Sequence, residues 1–222
     1  MLSEKLTEIL SMLPLATLET VYMTFVSAIL ASIMGFPLGI YLFISSPSGL
    51  SPRITAYNVT SRVVNILRSL PFIILMILLI PLTRFIIKTS VGPTAALVPL
   101  SIAAAPFVAR VVESALAEVD PGVITAARAM GSTNLQIIYK VLIPEALPAI
   151  VSGLALTIIN LISYTAMAGA IGGRGLGDLA IRYGYYRFRM DVTIAAVIVI
   201  LLLVEAVQIT GTIISRRLLA KR

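Results

Sequence analysis

Val119-Asp-Pro-Gly-Val-Ile-Thr-Ala-Ala-Arg-Ala-Met-Gly-Ser-Thr-Asn-Leu-Gln-Ile-Ile-Tyr-Lys-Val-Leu-Ile-Pro-Glu-Ala-Leu-Pro148 is the longest polar interval in an otherwise apolar chain. Its spacing predicts two short helices meeting at an elbow. Asp120 can accept hydrogen bonds from the first amides of a helix that begins at Pro121, where a missing N–H costs nothing. Ile124 to Met130 give about two turns. Gly131 suits the left-handed position that ends a helix, and Ser132, Thr133 or Asn134 can cap the next. Leu135, Ile138, Tyr139 and Leu142 then recur at helical spacing, which predicts one apolar face. Pro144 and Pro148 are expected to stop this second helix. The small residues Ala126, Ala127 and Ala129 permit close approach by another backbone. A rigid knob with such a face suits a socket on a partner protein. The competing reading is an interfacial helix resting on lipid, against which the single arginine of the first helix argues.

On either side of this interval the chain runs apolar. Charge is absent from residues 20–52, 69–83, 89–109 and 146–173, and residues 192–215 hold only Glu205. Runs of this length match a hydrocarbon core of about 30 Å. The expected fold is therefore an all-α membrane protein, a single domain over 1–222 with five spans. These cover about 21–44, 62–83, 90–111, 148–170 and 191–214, with the polar loop at about 119–144. The stretch 1–20 lacks a basic leader region and reads as a short amphipathic helix. Composition agrees: of 222 residues 59% are hydrophobic and only 12% charged, and the mean hydropathy is +1.03. One soluble core cannot enclose so much apolar surface. Histidine, cysteine and tryptophan are all absent, which removes the usual general base, thiol nucleophile and soft metal ligands. No metal site is expected.

The net charge of +7 is better explained by membrane orientation than by nucleic acid, since no basic–aromatic stripe occurs. Arg216, Arg217, Lys221 and Arg222, with no acid among them, place the C-terminus in the cytoplasm. Five crossings then put the N-terminus outside and the 119–144 loop inside. The orientation rests on that tail, because the outer segments also carry basic residues.

Thr125-Ala126-Ala127, Gly131 four residues on, then Val141, Ile143 and Pro144, resembles the "EAA" loop of permease subunits of bacterial ABC importers. Both alanines, the glycine and the proline stand at the family spacings. Thr125 replaces the glutamate, and Val141 and Ile143 replace an isoleucine and a leucine with similar bulk. The resemblance implies a type I ABC importer permease fold, in which the loop docks on a separate ATPase. It implies Thr125, Ala126, Ala127, Met130, Gly131, Pro144 and Glu145 as the coupling residues. It further implies a homodimer, two ATP-binding subunits that carry ATP and Mg, and a substrate-binding protein outside. No cofactor is expected on this chain, and no enzymatic activity of its own.

Two more stretches are similar to the methionine-import branch of that family. One is Arg68-Ser-Leu-Pro-Phe72 through Ile80-Pro-Leu-Thr-Arg84. The other is Gly169-Ala-Ile-Gly-Gly173 through Tyr185, supported by Ala105-Pro-Phe-Val-Ala-Arg110. The implied cargo is methionine, L- and also D-, with another amino acid or small amine as the alternative. The residues themselves say less. Asn160, Ser163, Tyr164 and Met167 lie at helical spacing on one face of the fourth span, and a one-sided polar stripe in lipid must face protein or water. It reads as a pathway or gate face, or as simple helix packing. Met76, Ile162 and Ile171 could add an apolar lining for a thioether. Gly172 and Gly173 belong to a glycine-rich turn that lacks the lysine ending of a phosphate loop. That turn reads as an outer hinge or an ordinary breaker. Arg110 and Glu113 are spaced to pair. Glu205 leaves open a proton-coupled carrier.

Overall fold

The computed structural model describes residues 2–220, with side chains described from Thr7 onward. Its regular elements are all helical. They are α1 (Leu2–Ser45), α2 (Ile54–Ser69), α3 (Phe72–Leu78), α4 (Ile80–Ile87), α5 (Pro93–Ala117), α6 (Pro121–Ala129), α7 (Asn134–Ile137), α8 (Ile143–Ala168), α9 (Gly175–Leu179) and α10 (Met190–Leu219). Wide π turns occupy Ile138–Leu142, Gly169–Gly173 and Ala180–Tyr185. Lys221 and Arg222, half of the basic tail, lie outside the described residues, as does Met1.

Three expectations change. The segment before the first span is helical but not separate: α1 runs unbroken for 44 residues, through Pro14 and Pro37. The second span is broken. α2 and α3 meet at 103°, because Pro71 pushes the residue before it out of the helical region; Leu70 sits at φ −72°, ψ 130°. Pro144 and Pro148, in contrast, stop nothing. The helix runs on from Asn134 to Gly173 over 40 residues. Ile143 N–H bonds to Ile138 O in a π turn, and that wider turn accommodates the Pro144 ring against the preceding carbonyls.

Side-chain pairings fix the direction of each helix. A Cβ on Gly35 would meet Ala105 O at 2.5 Å, and one on Gly39 would meet Ala109 O at 2.5 Å. The two steps ascend together, so α1 and α5 run parallel, in near backbone contact. α2 runs against α5: Arg110 bonds to Ser61 and Asn65, while Arg68 lies over Phe107. α8 also opposes α5, with Gly153 against Val111 and Gly92 N–H bonded to Gly172 O at 2.8 Å. α10 opposes α8, with Gly211 against Ala155 and the Ser215 hydroxyl donating to Pro148 O at 3.0 Å.

Parallel α1 and α5 require one crossing between them, and the bent α2–α3 pair supplies it. Four continuous helices are long and apolar enough to cross a membrane, and the bent pair makes up to five. α5 is the axis of the bundle, with 67% of its most apolar window buried; α10, at 11%, is left for lipid or another chain. One end of the bundle carries α6 and α7, hereafter the knob end. The other carries the Gly169–Gly177 turn, the glycine end.

Candidate functional site

The knob is built as its sequence predicts. The Asp120 carboxylate accepts from Gly122 N–H at 2.7 Å, and Pro121 opens α6. Gly131 takes φ +81°, and its N–H bonds to Arg128 O at 2.9 Å. Thr133 then caps α7. Its hydroxyl accepts from Gln136 N–H at 3.3 Å, and the Gln136 side chain accepts from Thr133 N–H at 2.9 Å. This reciprocal box satisfies two amides that a helix start leaves open. Arg128 donates to Leu50 O at 3.1 Å, pinning α6 to the loop after α1.

The structure divides the expected coupling residues. Thr125, Ala126, Ala129 and Met130 face outward, Met130 being 82% exposed. Ala127 does not: it is 6% exposed and packs in the main core with Ile137, Ile138 and Leu142. Ala127 thus fixes the knob to the bundle, while its neighbours form the free face. Thr125 donates its hydroxyl proton to Pro121 O at 2.9 Å, so toward a partner it can only accept. Pro144 and Glu145 lie back from the tip, in the first turn of α8. The apolar face expected of the second helix is rotated as well. Ile137 and Ile138 are buried, whereas Leu135 and Tyr139 are exposed, because the π turn adds a residue and shifts the helical phase.

A cavity of about 390 Å³ opens where α2 bends into α3. Asn65, Arg68, Ser69, Phe72, Phe107 and Tyr164 are among its lining residues. Phe72 and Tyr164 stack with ring centroids 4.6 Å apart and planes parallel. The Arg68 guanidinium lies 4.8 Å above the Phe107 ring. Irregular backbone is tolerated at membrane depth where it is buried or lines a cavity, and the break at Leu70-Pro71 does the latter.

Of the expected pathway stripe, Tyr164 lines this cavity. Ser163 and Met167 are exposed on the single chain and Asn160 is half buried; none of these three lines it. Met76 and Ile162 are core residues, 6% and 3% exposed, and Ile171 packs beside that core. The thioether lining expected from them is not formed in the single chain. Spacing could have marked this face: Asn65 and Arg68, which line the cavity, and Ser61, which binds Arg110, recur at i, i+4, i+7 on α2. Phe72 and Phe107 had no such marker, since an aromatic residue in an apolar run reads as core. Glu205 is exposed on α10, away from the cavity.

Arg110 does pair with Glu113, at 2.6 Å. Its other nitrogen reaches the Asn65 side chain at 2.9 Å and the Ser61 carbonyl at 3.1 Å, bracing α2 against α5 beside the cavity.

At the glycine end the turn is a tight joint. Gly172 takes φ +99° and Arg174 φ +63°. Gly173 is buried against Ala168. Glu19 and Thr20 of α1 accept from Gly175 and Leu176 N–H, at 3.0 and 2.9 Å. Glu19 also lies 3.6 Å from Arg174. Nearby, Arg189 bonds to Glu8 and Asp191 at 2.6 and 2.9 Å. These two bonds raise the Arg189 pKa above its ordinary value.

The chain matches the family of binding-protein-dependent transport system inner membrane components over residues 35–220. It belongs to that family. This inner membrane component is 46% identical over 202 residues to a probable D-methionine transport system permease protein of Vibrio cholerae, covering 91% of the chain and 90% of the relative. It is 50% identical over 200 residues to the methionine import system permease protein of Bacillus subtilis, covering 90% of each. In structure it resembles a chain of the MetNI methionine ABC transporter, described as inward facing. The TM-score is 0.88 at 44% identity, over 90% of this chain and 93% of that one. A chain of an amino acid ABC transporter crystallised with histidines matches at TM-score 0.76 and 22% identity, over 97% and 96%, a likeness of fold. The inner membrane component therefore has the permease fold of type I ABC importers.

Proposed function

We propose that this chain is the permease subunit of an ATP-driven methionine importer. Two copies form the translocation pathway. A binding protein outside delivers L- or D-methionine, and two separate ATPase subunits bind ATP and Mg and perform hydrolysis. The observation that carries this reading is the likeness, at 44% identity, to the MetNI methionine transporter chain over nine-tenths of the sequence. The geometry adds the means. The knob offers Thr125, Ala126, Ala129 and Met130 on a rigid two-helix frame held by Gly131, a shape that fits a groove on an ATPase. The knob end is then cytoplasmic and the glycine end external, with Ser163, Tyr164 and Met167 on the pathway side of α8, and Gly172 and Gly173 in the external joint that holds it.

The test is reconstitution of the complex that co-purifies with the chain from its native membranes in mild detergent. An ATPase, a methionine-binding protein and ATP-dependent uptake of labelled methionine are expected. A different binding protein would keep the mechanism and replace the cargo. Uptake driven by a proton gradient without ATP, and lost in Glu205→Gln, would replace the mechanism.

A further inference from the structure

Arg68 is exposed on the single chain, yet it stands beside the middle of α5 rather than at its end. Phe107, beneath its guanidinium, stands fourteen residues after Pro93 and ten before Ala117 on α5. At the helical rise those are about 21 and 15 Å from the two ends of that helix. The cation therefore sits beside the middle of a helix long and apolar enough to cross a membrane, and a charged side chain within such a span points to a ligand or ion route. The ion pairs among the described residues join Arg110 to Glu113, Arg174 to Glu19, Arg182 to Asp178, and Arg189 to Glu8 and Asp191. None includes Arg68. Stacking on Phe107 and a place in the last turn of α2 satisfy its charge in part. They leave the planar fork of N–H donors beside a cavity of about 390 Å³, within the size range of small-ligand sites.

We propose that this cavity is a transit site for a zwitterionic amino acid, with Arg68 receiving the α-carboxylate. The inference rests on the amino-acid importer reading above. A guanidinium matches a carboxylate with two parallel hydrogen bonds, which an ammonium cannot reproduce. The Asn65 side-chain oxygen is already taken by Arg110, so its amide presents donors to the same anion. The Ser69 hydroxyl spends its proton on Ile66 O at 2.8 Å and keeps lone pairs for the substrate ammonium. The Phe72–Tyr164 stack supplies an apolar wall for the side chain. A transit site must also release its ligand, so millimolar affinity is the expectation.

The sequence contains no tryptophan, so Tyr164→Trp gives the chain one reporter in the cavity wall. The full-length variant in lipid nanodiscs, without the ATPase or binding protein, is titrated with methionine and with methioninol, which lacks the carboxylate. A saturable fluorescence change with methionine alone is expected. It weakens about tenfold or more with Arg68→Gln and less with Arg68→Lys. An equal response to methioninol, or an unchanged titration in Arg68→Gln, would overturn the site and leave the importer reading standing. An equal response to methionine and leucine, lost in Arg68→Gln, would support the carboxylate site while counting against a methionine-selective permease. If the reporter variant does not fold, the complete transporter with only Arg68→Gln decides. Uptake per ATP hydrolysed is expected to fall severalfold with the ATPase still docked, and unchanged coupling would overturn the proposal.

Discussion

Phe72 and Tyr164 stack face to face at 4.6 Å across the bend in the second span, so the break in one helix is closed by a ring from another. Phe72 is 6% exposed and Tyr164 half buried. Removing the Phe72 ring takes away both buried area and its stacking partner. Phe72→Ala is expected to destabilise the solubilised protein by about 2–4 kcal/mol. Tyr164→Phe keeps the stack and should change the unfolding midpoint little. Thermal unfolding in detergent, followed by loss of monodisperse protein, distinguishes the two.

Gly131 at φ +81° has open space where a Cβ would go, so the cost of a substitution is conformational. Gly131→Ala should cost about 1 kcal/mol and loosen the knob. Gly131→Asp adds a charge at the elbow and is expected to abolish co-purification of the ATPase while the dimer persists. Pull-down with an ATPase antibody reads the outcome; retained ATPase and retained uptake would refute the socket.

Met167 is 46% exposed on the single chain. Met167→Ala should leave stability within about 0.5 kcal/mol yet alter uptake. Measuring dimer yield beside transport separates the roles, and lost assembly would make Met167 a packing residue.

Arg110 joins α2 to α5 through four acceptors, including Glu113. Arg110→Met leaves Asn65 and Glu113 without this donor and is expected to cost about 2–3 kcal/mol. Arg110→Lys should recover only part, since one ammonium cannot span both helices' acceptors. Glu113→Gln, which keeps an acceptor, should cost less than Arg110→Met in the same unfolding series.

The knob was the most readable part of the chain. Asp120, Pro121, Gly131 and Thr133 each carry a local rule, and local rules need no knowledge of neighbours. The charge-free runs showed the spans for the same reason, since lipid imposes a length. What depended on packing did not show. Ala127 shares its type with Ala126 and Ala129, and only the bundle decides which of them turns inward. Pro144 reads as a stop unless the π turn before it is known. Pro71 carries the same local warning and does break its helix, so a proline alone cannot tell a bend from a continuation. The cavity was hardly visible: Arg68, Phe72 and Phe107 were read only as part of stretches resembling the family, and neither Asn65 nor the bend that assembles them was marked out.

The near-contact of α1 and α5 backbones at Gly35 and Gly39 has a mechanical meaning. Helices separated by long side chains can slide by exchanging rotamers; helices touching carbonyl to glycine cannot. α1 and α5 must therefore travel as one stiff plank. Arg128 ties the knob to Leu50, just beyond the end of α1, and Glu19 and Thr20, within the first half of α1, tie the helix to the glycine joint. A displacement at the knob would thus be passed along the plank to the glycine end, rather than taken up between α1 and α5.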